Sequence, residues 1–421
     1  MWERAGIVAV GDEVLTGETI NTNGAWLAQA LLQAGSRVAW QLVVPDDEGA
    51  IAEAVRRGLQ SVPLLVLVGG LGPTPDDRTR AGVAAGLGVT MAVDPDWAAA
   101  LEQRHGGQGP SRTRSIDAQA MRLAGADLLV NQVGTAPGQL VVVPAGAVAL
   151  LPGPPAECRS VAVALTARVE RATGRRIVRR TWRVYDLTES ELSFRLGTLL
   201  TAAEGPRTGL YVRPGVVEWR VEVAEGSPEA ARLPELVAEA ERRAGVPLYG
   251  EEPSADAVAL VRSLADRGDT VAIAESLTGG MLAAELTAVP GASRVVLEGQ
   301  VVYTEAAKVR MGVPRSLLLT EGAVSRRVAL ALADAVRDRS GATWGLGTTG
   351  YAGPQGGDPD HPVGTYYVAL TGPGVSTVYR RRSRSDREWV RRAAAETGRH
   401  LLALALAGQR APGAEEIESR H

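Results

Sequence analysis

The stretch LLVLVGGLGPTPDDRT, residues 64–79, is the part of the sequence that says most about the fold. Leu64–Val68 is an aliphatic run of strand length, and a glycine-rich loop with two adjacent carboxylates, Asp76 and Asp77, follows it directly. In open α/β sheets, ligands bind beyond the carboxyl ends of the strands. The stretch therefore predicts a strand of such a sheet that ends in a binding loop.

The same alternation of short aliphatic runs and amphipathic stretches extends over residues 1–173. It predicts βαβ units around a parallel sheet. The predicted elements are strands at 7–10, 38–44, 64–68 and 140–143 and helices at 24–34, 48–59 and 156–172. Pro152-Gly153-Pro154-Pro155 breaks the chain before the last of these helices. We interpret residues 1–173 as the first domain, similar in class to other ligand-binding α/β domains.

Residues 174–250 follow the pattern of a small α+β module. Thr188 and Glu191 have the spacing of a capping box at the start of a helix, and two strands flank a turn at Pro214-Gly215. One long helix rich in Glu, Arg and Ala is expected from Pro228. The module resembles a KH-type fold, but it lacks the Gly-x-x-Gly clamp of the RNA-binding members.

Residues 251–408 are predicted to form a third domain, again α/β but with mixed strand directions. Its strand at 270–274 leads into a turn that contains serine and glycine, and its last helix is expected at 386–407. Residues 409–421 form a tail. Because the tail is rich in Ala, Glu, Pro and Gly, we expect it to be disordered.

Composition limits the class of protein. With 45% hydrophobic and 22% charged residues the chain is typical of soluble globular proteins, and a formal charge of −3 argues against a basic nucleic-acid surface. The one cysteine, Cys158, excludes an intrachain disulfide, and the four histidines lack zinc-ligand spacing. No apolar run reaches the roughly 18 residues that a membrane helix needs, so a cytoplasmic protein is expected.

Two loops of the first domain carry candidate ligands for a phosphate and a metal ion. Their glycines let a phosphate approach backbone N–H groups, and the carboxylates of Glu13, Asp76 and Asp77 suit a divalent metal such as Mg²⁺, Mn²⁺ or Co²⁺. The residues expected to contact a nucleotide are Gly11, Asp12, Asn23, Gly69, Gly70, Gly72, Thr74 and Asp77. The alternative is that these residues only form turns and helix caps.

The third domain contains the only lysine of the chain, Lys308, against 44 arginines (45 Lys and Arg minus one). A partly buried lysine can give up its proton, which arginine cannot do in a protein. Ser276 lies 32 positions earlier (308 − 276) on a strand-to-helix turn, and no histidine is placed to activate it. The pattern predicts a Ser–Lys dyad, with the N–H groups of Gly279 and Gly280 binding an oxyanion. The competing interpretation makes Ser276 a plain helix cap.

Three further side chains are assigned to this site. Arg387 and Arg391, one turn apart on the last helix, are expected to lower the pKa of Lys308 by their charge and to clamp a phosphate. Tyr303 ends the strand before the lysine, and it either assists the dyad or belongs to the core. Thr278 is expected to contact the substrate.

Thr349 and Gly350 are the remaining candidates for substrate contact. They end the run Gly345–Gly350, which satisfies the dinucleotide pattern GxGxxG. The residues after it, Tyr351–Pro354, cannot open a helix cleanly, as that pattern requires. We therefore interpret the run as a substrate loop and expect no dinucleotide cofactor there.

Together these motifs resemble the CinA family (competence/damage-inducible protein A). The resemblance is carried by residues 11–18, 21–23, 69–79, 131–138, 151–157, 274–280, 291–308, 322–325, 349–354, 356–357 and 362–364 and by the helix of Arg387 and Arg391. The N-terminal domain of that family is similar to molybdenum-cofactor biosynthesis proteins, and the additional Asp76 implies a metal-dependent ADP-ribose pyrophosphatase. The C-terminal domain resembles nicotinamide mononucleotide (NMN) deamidase. The resemblance implies Ser276 as nucleophile, Lys308 as general base and Tyr303 as assisting group, with no cofactor.

The resemblance also bears on partners. It implies a homodimer that acts on small-molecule nucleotides, while the formal charge and the lack of a long apolar run lead us to expect neither a nucleic-acid partner nor a membrane. Three positions depart from the family pattern, namely Leu277, Gln300 and the pair Thr304-Glu305, and none of them removes a catalytic group. The alternative function is a competence-associated DNA- or protein-interaction protein whose N-terminal domain only binds a nucleotide or pterin.

Overall fold

The computed structural model describes residues 2–104, 110–201, 205–410 and 415–416. The chain forms two compact units, residues 1–179 with 223–231 and residues 180–222 with 232–421. Most of the module predicted at 174–250 therefore falls in the second unit, while the three predicted domain boundaries stay a prediction. No helix in the described ranges is long and apolar enough to cross a membrane.

The first unit is built around a six-stranded sheet with the order β2-β1-β3-β8-β7-β6. Its elements are β1 (Arg4–Val10), α1 (Asp12–Leu15), α2 (Thr22–Gln33), β2 (Arg37–Val44), α3 (Glu48–Ser61), β3 (Leu64–Val68), α4 (Thr79–Leu87), β4 (Met91–Val93), α5 (Pro95–Arg104), α6 (Pro110–Ala120), β5 (Met121–Leu123), β6 (Ala126–Leu129), β7 (Gly138–Val143), β8 (Gly146–Leu151) and α7 (Pro155–Thr173). The predicted strands and helices of this region are confirmed to within a few residues. The sequence analysis did not predict α1, α4, β4, α5, α6, β5, β6 or β8.

The prediction of a parallel sheet is only partly right. Strands β2, β1, β3 and β8 are parallel, but β7 and β6 run antiparallel. Val143 pairs with Gly146, so only two residues join β7 to β8. A connection that short can link only antiparallel strands. Apolar side chains fill both faces of the sheet, with α2 and α7 on one face and α3 and α4 on the other.

The module between the two domains has a three-stranded sheet with the order β10-β11-β9. Its elements are β9 (Ile177–Val184), α8 (Glu189–Leu196), a 3₁₀ turn (Gly197–Leu200), β10 (Arg207–Arg213), β11 (Val216–Ala224), α9 (Pro228–Ala231) and α10 (Leu233–Ala244). The predicted capping box is confirmed, because Thr188 and Glu191 each accept a hydrogen bond from the other's backbone N–H. The prediction of one long helix from Pro228 is wrong, because this segment forms two helices, α9 and α10.

The C-terminal part of the second unit has a mixed sheet with the order β13-β12-β14-β15-β16-β17, as predicted. Its elements are α11 (Ala257–Arg267), β12 (Val271–Glu275), α12 (Met281–Thr287), a 3₁₀ turn (Ala292–Arg294), β13 (Val296–Val301), α13 (Glu305–Met311), α14 (Arg315–Glu321), α15 (Arg326–Ser340), β14 (Trp344–Gly350), β15 (Thr365–Gly372), β16 (Val375–Arg382), α16 (Arg387–Leu406) and β17 (Glu415–Glu416). In the tail, β17 pairs with Thr377 and Val378, whereas residues 411–414 and 417–421 lie outside the described residues.

Helices cover both faces of this sheet. The helices α11, α12 and α16 pack on one face, and α13, α14 and α15 pack on the other. Gly345 and Gly347 lie in strand β14, so the run interpreted as a loop is a strand. A Cβ at Gly345 would come within 2.1 Å of Ala333 O, and one at Gly347 within 2.3 Å of Ala329 O. These glycines allow α15 to approach the sheet closely.

Aromatic and charged contacts attach the middle module to β16 and α16. The ring of Tyr185 stacks on His400 with centroids 3.5 Å apart, and its hydroxyl donates to Glu396 Oε1 at 2.9 Å. Arg381 donates to Tyr185 O at 2.6 Å and pairs with Asp186. His400 is 2% exposed, and burial lowers its pKa to about 3. This contact therefore requires a neutral imidazole.

We expect the free energy of unfolding of the second unit to fall as the pH drops below about 6.5. Between pH 6.5 and about 3, only the unfolded chain binds a proton at His400. The contribution of the buried, neutral imidazole to the free energy of unfolding is therefore fully present above pH 6.5 and is lost on acidification. The slope for one such group is about 1.4 kcal/mol per pH unit. Denaturant unfolding at several pH values should give a shallower slope for His400→Leu. His361→Gln, in a surface loop, is the control, and equal slopes for both variants would contradict the expectation.

Candidate active sites

Ser276 follows β12 directly, at the carboxyl end of the parallel part of the C-terminal sheet. Its backbone N–H donates to Thr348 O of the neighbouring strand at 3.1 Å, and its side chain is largely buried. Thr348 also bonds through its hydroxyl to that of Thr278, at 2.8 Å. The serine is therefore held by the strand next to it, at the edge where a ligand site is expected.

Lys308 lies on α13 and reaches the serine. Its Nζ donates to Ser276 Oγ at 2.9 Å and to Val302 O at 3.2 Å, and the residue is 2% exposed. Burial lowers the pKa of Lys308 to about 8, while the nearby Glu305 raises it. The structure thus brings the two residues of the predicted dyad into hydrogen-bond distance, with an amine that deprotonates near neutral pH.

The expected role of the two arginines is corrected. Burial, not a neighbouring cation, lowers the lysine's pKa, and both guanidinium groups are engaged elsewhere. Arg391 donates to Leu277 O and to Thr278 O, each at 3.0 Å, and so fixes the loop after the serine. Arg387 donates to Gly353 O and to Tyr303 Oη, each at 2.7 Å. The phosphate clamp predicted for the pair stays a prediction, and Arg391 has little freedom to serve in it.

Tyr303 is 56% exposed and is not in the core. Among the described residues, its hydroxyl bonds to Arg387 and to neither member of the Ser276–Lys308 pair. Thr349 Oγ1 donates to Ala323 O at 2.7 Å, and Gly350 ends β14 beside it. Substrate contact by these residues remains a prediction.

The N–H groups predicted as oxyanion donors already have acceptors within the protein. The N–H of Gly279 donates to Ser276 O at 3.2 Å, and the N–H of Gly280 donates to Glu275 Oε2 at 3.0 Å. The N–H groups of Leu277 and Thr278, by contrast, donate to no acceptor in the described chain. These two groups directly follow the serine and replace the glycines as candidate oxyanion donors.

Glu275 is the functional residue that the sequence interpretation missed here. It is 1% exposed, and its carboxylate accepts hydrogen bonds from Gly280 N, Leu282 N and Ala283 N at 2.8–3.1 Å. It therefore closes the turn that carries Ser276 and caps α12, whose first N–H groups have no partner within the helix. A glutamate immediately before the serine was the only available signal.

A cavity of about 450 Å³ lies at the carboxyl edge of the N-terminal sheet. Most predicted residues line it, namely Gly11, Glu13, Asn23, Gly69, Gly70, Gly72, Asp76 and Asp77. Asp12 and Thr74 do not line it. Thr74 instead donates its hydroxyl to Asp77 Oδ2 at 2.5 Å, and the N–H of Asp12 donates to Asp46 Oδ2 at 3.1 Å.

Asp77 shapes the glycine-rich loop. Its carboxylate accepts hydrogen bonds from Gly72 N at 2.6 Å and from Thr74 N at 2.8 Å. A Cβ on Gly72 would lie 2.5 Å from this carboxylate, so glycine is needed there. The sequence predicts Asp77 as a metal ligand, but both of its oxygens already hold the loop.

Asp46, at the end of β2, is a cavity residue that the sequence interpretation missed. Burial raises the pKa of its carboxyl, and the neighbouring charges of Asp12 and Glu13 add to this effect. It was missed because it precedes Asp47, the N-cap of α3, in what looks like a plain turn. The position of Asp46 could have indicated its place in the cavity, because β2 ends at the same edge of the sheet as β1 and β3.

The charged side chains that line this cavity are all acidic. Five carboxylates line it, Glu13, Asp46, Asp76, Asp77 and Glu157, and its lining includes no lysine or arginine. Nowhere in the described residues do three His, Cys, Asp or Glu side chains converge as a metal cage. This donor set suits Mg²⁺, which is usually held by one or two carboxylates together with phosphates of a substrate.

The fold and the two sites define an α/β protein with an acidic, glycine-lined cavity at one sheet edge and a Ser–Lys pair at another. Residues 254–406 match the CinA C-terminal domain, and residues 6–171 match the probable molybdopterin binding domain. A CinA-like protein of Anaeromyxobacter sp. (strain Fw109-5) is 40% identical over 406 residues, 95% of this chain and 98% of that protein. The chain belongs to the CinA family.

A second relative agrees with this assignment. A putative competence-damage inducible protein of Symbiobacterium thermophilum is 40% identical over 380 residues, which are 88% of this chain and 89% of that protein. Among solved structures, the protein CinA of Thermoplasma acidophilum, described as having unknown function, is 34% identical. It covers 40% of this chain and 98% of its own, with a TM-score of 0.37.

We expect Glu275→Ala to lower the free energy of unfolding by about 2–4 kcal/mol, because three N–H donors lose their acceptor. Glu275→Gln should cost less, since an amide still accepts through one oxygen. Denaturant unfolding measures both. Glu321→Ala is the control, because it breaks only a surface ion pair with Arg327. A Glu275→Ala value as small as that of the control would contradict the capping role.

Proposed function

We propose that the C-terminal site hydrolyses the carboxamide of NMN to nicotinate mononucleotide and ammonia. The observation that carries the proposal is the 2.9 Å contact between Lys308 Nζ and Ser276 Oγ, formed by a buried amine with a pKa of about 8. The family resemblance of the surrounding motifs supports the choice of substrate. An amidase without a suitably placed histidine needs such a base.

The reaction runs in two stages. Ser276 Oγ attacks the carboxamide carbon while neutral Lys308 takes its proton, and the N–H groups of Leu277 and Thr278 stabilise the oxyanion. Lys308 then protonates the leaving nitrogen, which departs as ammonia and leaves an acyl-serine. Water attacks this ester with Lys308 again as the base, and nicotinate mononucleotide and free Ser276 result. One water is consumed for each amide cleaved.

The tyrosine and the arginines are assigned supporting roles. Arg387 bonds to both Tyr303 and the loop carbonyl of Gly353, so it links the residue after β13 to the loop after β14. Because Tyr303 is exposed and bonds to Arg387 instead of the dyad, we assign it to positioning the substrate and not to relaying a proton. Arg391 holds the serine loop through two carbonyl oxygens.

We expect kcat/KM for NMN to rise about tenfold per pH unit below pH 8 and to level off above it, because only the neutral amine acts as a base. Lys308→Arg should lower kcat by about 10³-fold or more, since its charge is kept but deprotonation is lost. Ammonia release measures both effects. Arg310→Gln, an exposed change on the same helix, is the control. An Arg variant with full activity would remove Lys308 from the mechanism.

We also propose that the N-terminal site cleaves ADP-ribose to AMP and ribose 5-phosphate with a divalent metal. The supporting observation is the charge of the cavity, whose five carboxylates repel a pyrophosphate unless cations are bound with it. When bound, such a metal neutralises the phosphate charge and activates the attacking water. Glu13, Asp46 and Asp76 would hold it, while Asp77 fixes the glycine-rich loop beside them.

We expect Asp46→Asn to lower metal-dependent ADP-ribose turnover by at least about tenfold, because one cavity charge is removed. The matched control is Asp47→Asn, since Asp47 caps α3 outside the cavity and asparagine caps as well as aspartate does. AMP formation with Mg²⁺, Mn²⁺ or Co²⁺, and with chelator, measures the effect. Turnover that survives chelation would refute the metal requirement. Equal losses in the two variants would remove Asp46 from the site.

A further inference from the structure

Strand β16 ends in three consecutive arginines, and they divide between the two faces of the sheet. Arg381 binds the middle module through Tyr185 O and Asp186. Arg380 and Arg382 alternate with it and therefore lie on the opposite face. In the antiparallel register Arg382 stands opposite Thr365, at the start of β15.

The charges of Arg380 and Arg382 are not neutralised within the described chain. Arg380 donates to Asp360 O, and Arg382 donates to Val363 O at 3.4 Å. Both acceptors are backbone carbonyls, and neither guanidinium has a carboxylate within ion-pair distance in the described ranges. Two adjacent cations without a counter-ion are an attractive environment for an anion.

These arginines line a cavity of about 360 Å³ together with Thr365. Thr365 is 1% exposed, and its Oγ1 has no hydrogen-bond partner in the described structure. A buried hydroxyl without a partner is rare in native proteins, and a bound ligand is one reason for it. The lining contains one carboxylate residue, Asp360, which is exposed and already uses its carbonyl oxygen to orient Arg380.

The cavity lies at the same edge of the sheet as Ser276. Because β15 runs antiparallel to β14, its first residue lies beside the end of β14, and β16 ends there too. Thr365 and Arg382 also share the sheet face on which Lys308 approaches the serine, as the packing of Tyr367 against α15 indicates. Strands β12 and β16 are three steps of the sheet apart, about 14 Å.

We propose that Arg380, Arg382 and the hydroxyl of Thr365 form a phosphate-binding site. Guanidinium groups suit a phosphate in geometry and charge, and the threonine hydroxyl can donate to a third oxygen. The phosphate is either the 5′-phosphate of the mononucleotide substrate, in which case the inference rests on the proposed function, or a free phosphate ion.

Equilibrium dialysis of the full chain against radiolabelled inorganic phosphate tests the site without any catalysis. The double variant Arg380→Gln/Arg382→Gln should bind phosphate at least about tenfold more weakly than the wild type. Thr365→Val, which removes only the hydroxyl, should weaken it by a smaller factor. Arg384→Gln is the matched control, because Arg384 carries the same charge just beyond β16 and does not line the cavity. Equal phosphate affinity in the double variant and the control would overturn the proposal.

Kinetics then identify the source of the phosphate. If the substrate's phosphate occupies the site, the double variant should raise KM for NMN much more than KM for the riboside that lacks the phosphate. If phosphate binding is lost while both substrates are affected alike, the site serves a free ion. If the wild-type protein hydrolyses neither NMN nor the riboside, the proposed function is refuted, but the phosphate affinity measured by dialysis still stands.

Discussion

The burial of one amine is the constraint on which the C-terminal site depends. A charged ammonium is unfavourable in an apolar interior, so the fold must either pair it or allow it to lose its proton. Here Lys308 faces Ser276 Oγ and Val302 O, and burial lowers its pKa to about 8. Val302 N in turn donates to Glu275 O, so the same strand ends that position the serine also position the lysine. The same backbone contacts therefore hold the turn at Ser276 and keep Lys308 in the buried position that lowers its pKa.

Sequence reasoning identified what depends on residue type and local order. Aliphatic runs located strands such as β2 and β3, and the uniqueness of Lys308 pointed to the dyad. The sequence did not predict features that depend on which hydrogen-bond donor pairs with which acceptor. Nothing in the sequence indicates that Glu275 receives three N–H groups, or that the N–H groups of Gly279 and Gly280 are already used. The β7–β8 hairpin was also missed, because Pro144-Ala145 is not a typical hairpin turn.

The two candidate sites use the same topological position with opposite electrostatics. Both lie where parallel strands end beside a glycine-containing turn. Carboxylates line the N-terminal cavity, and no lysine or arginine in the lining neutralises their charge. In the C-terminal site a single amine is buried, and the arginines donate hydrogen bonds to carbonyl oxygens. The first is an acidic cavity. The second buries an amine whose pKa is lowered to about 8.

The solitary lysine also has a practical consequence. Because every other basic side chain is arginine or histidine, isotopic labelling of lysine alone would introduce a single side-chain amine signal into a 44.0 kDa protein. That signal would come from the buried Nζ beside Ser276. Its chemical shift would follow the protonation of the proposed base directly, without assignment of any other resonance and without interference from surface amines.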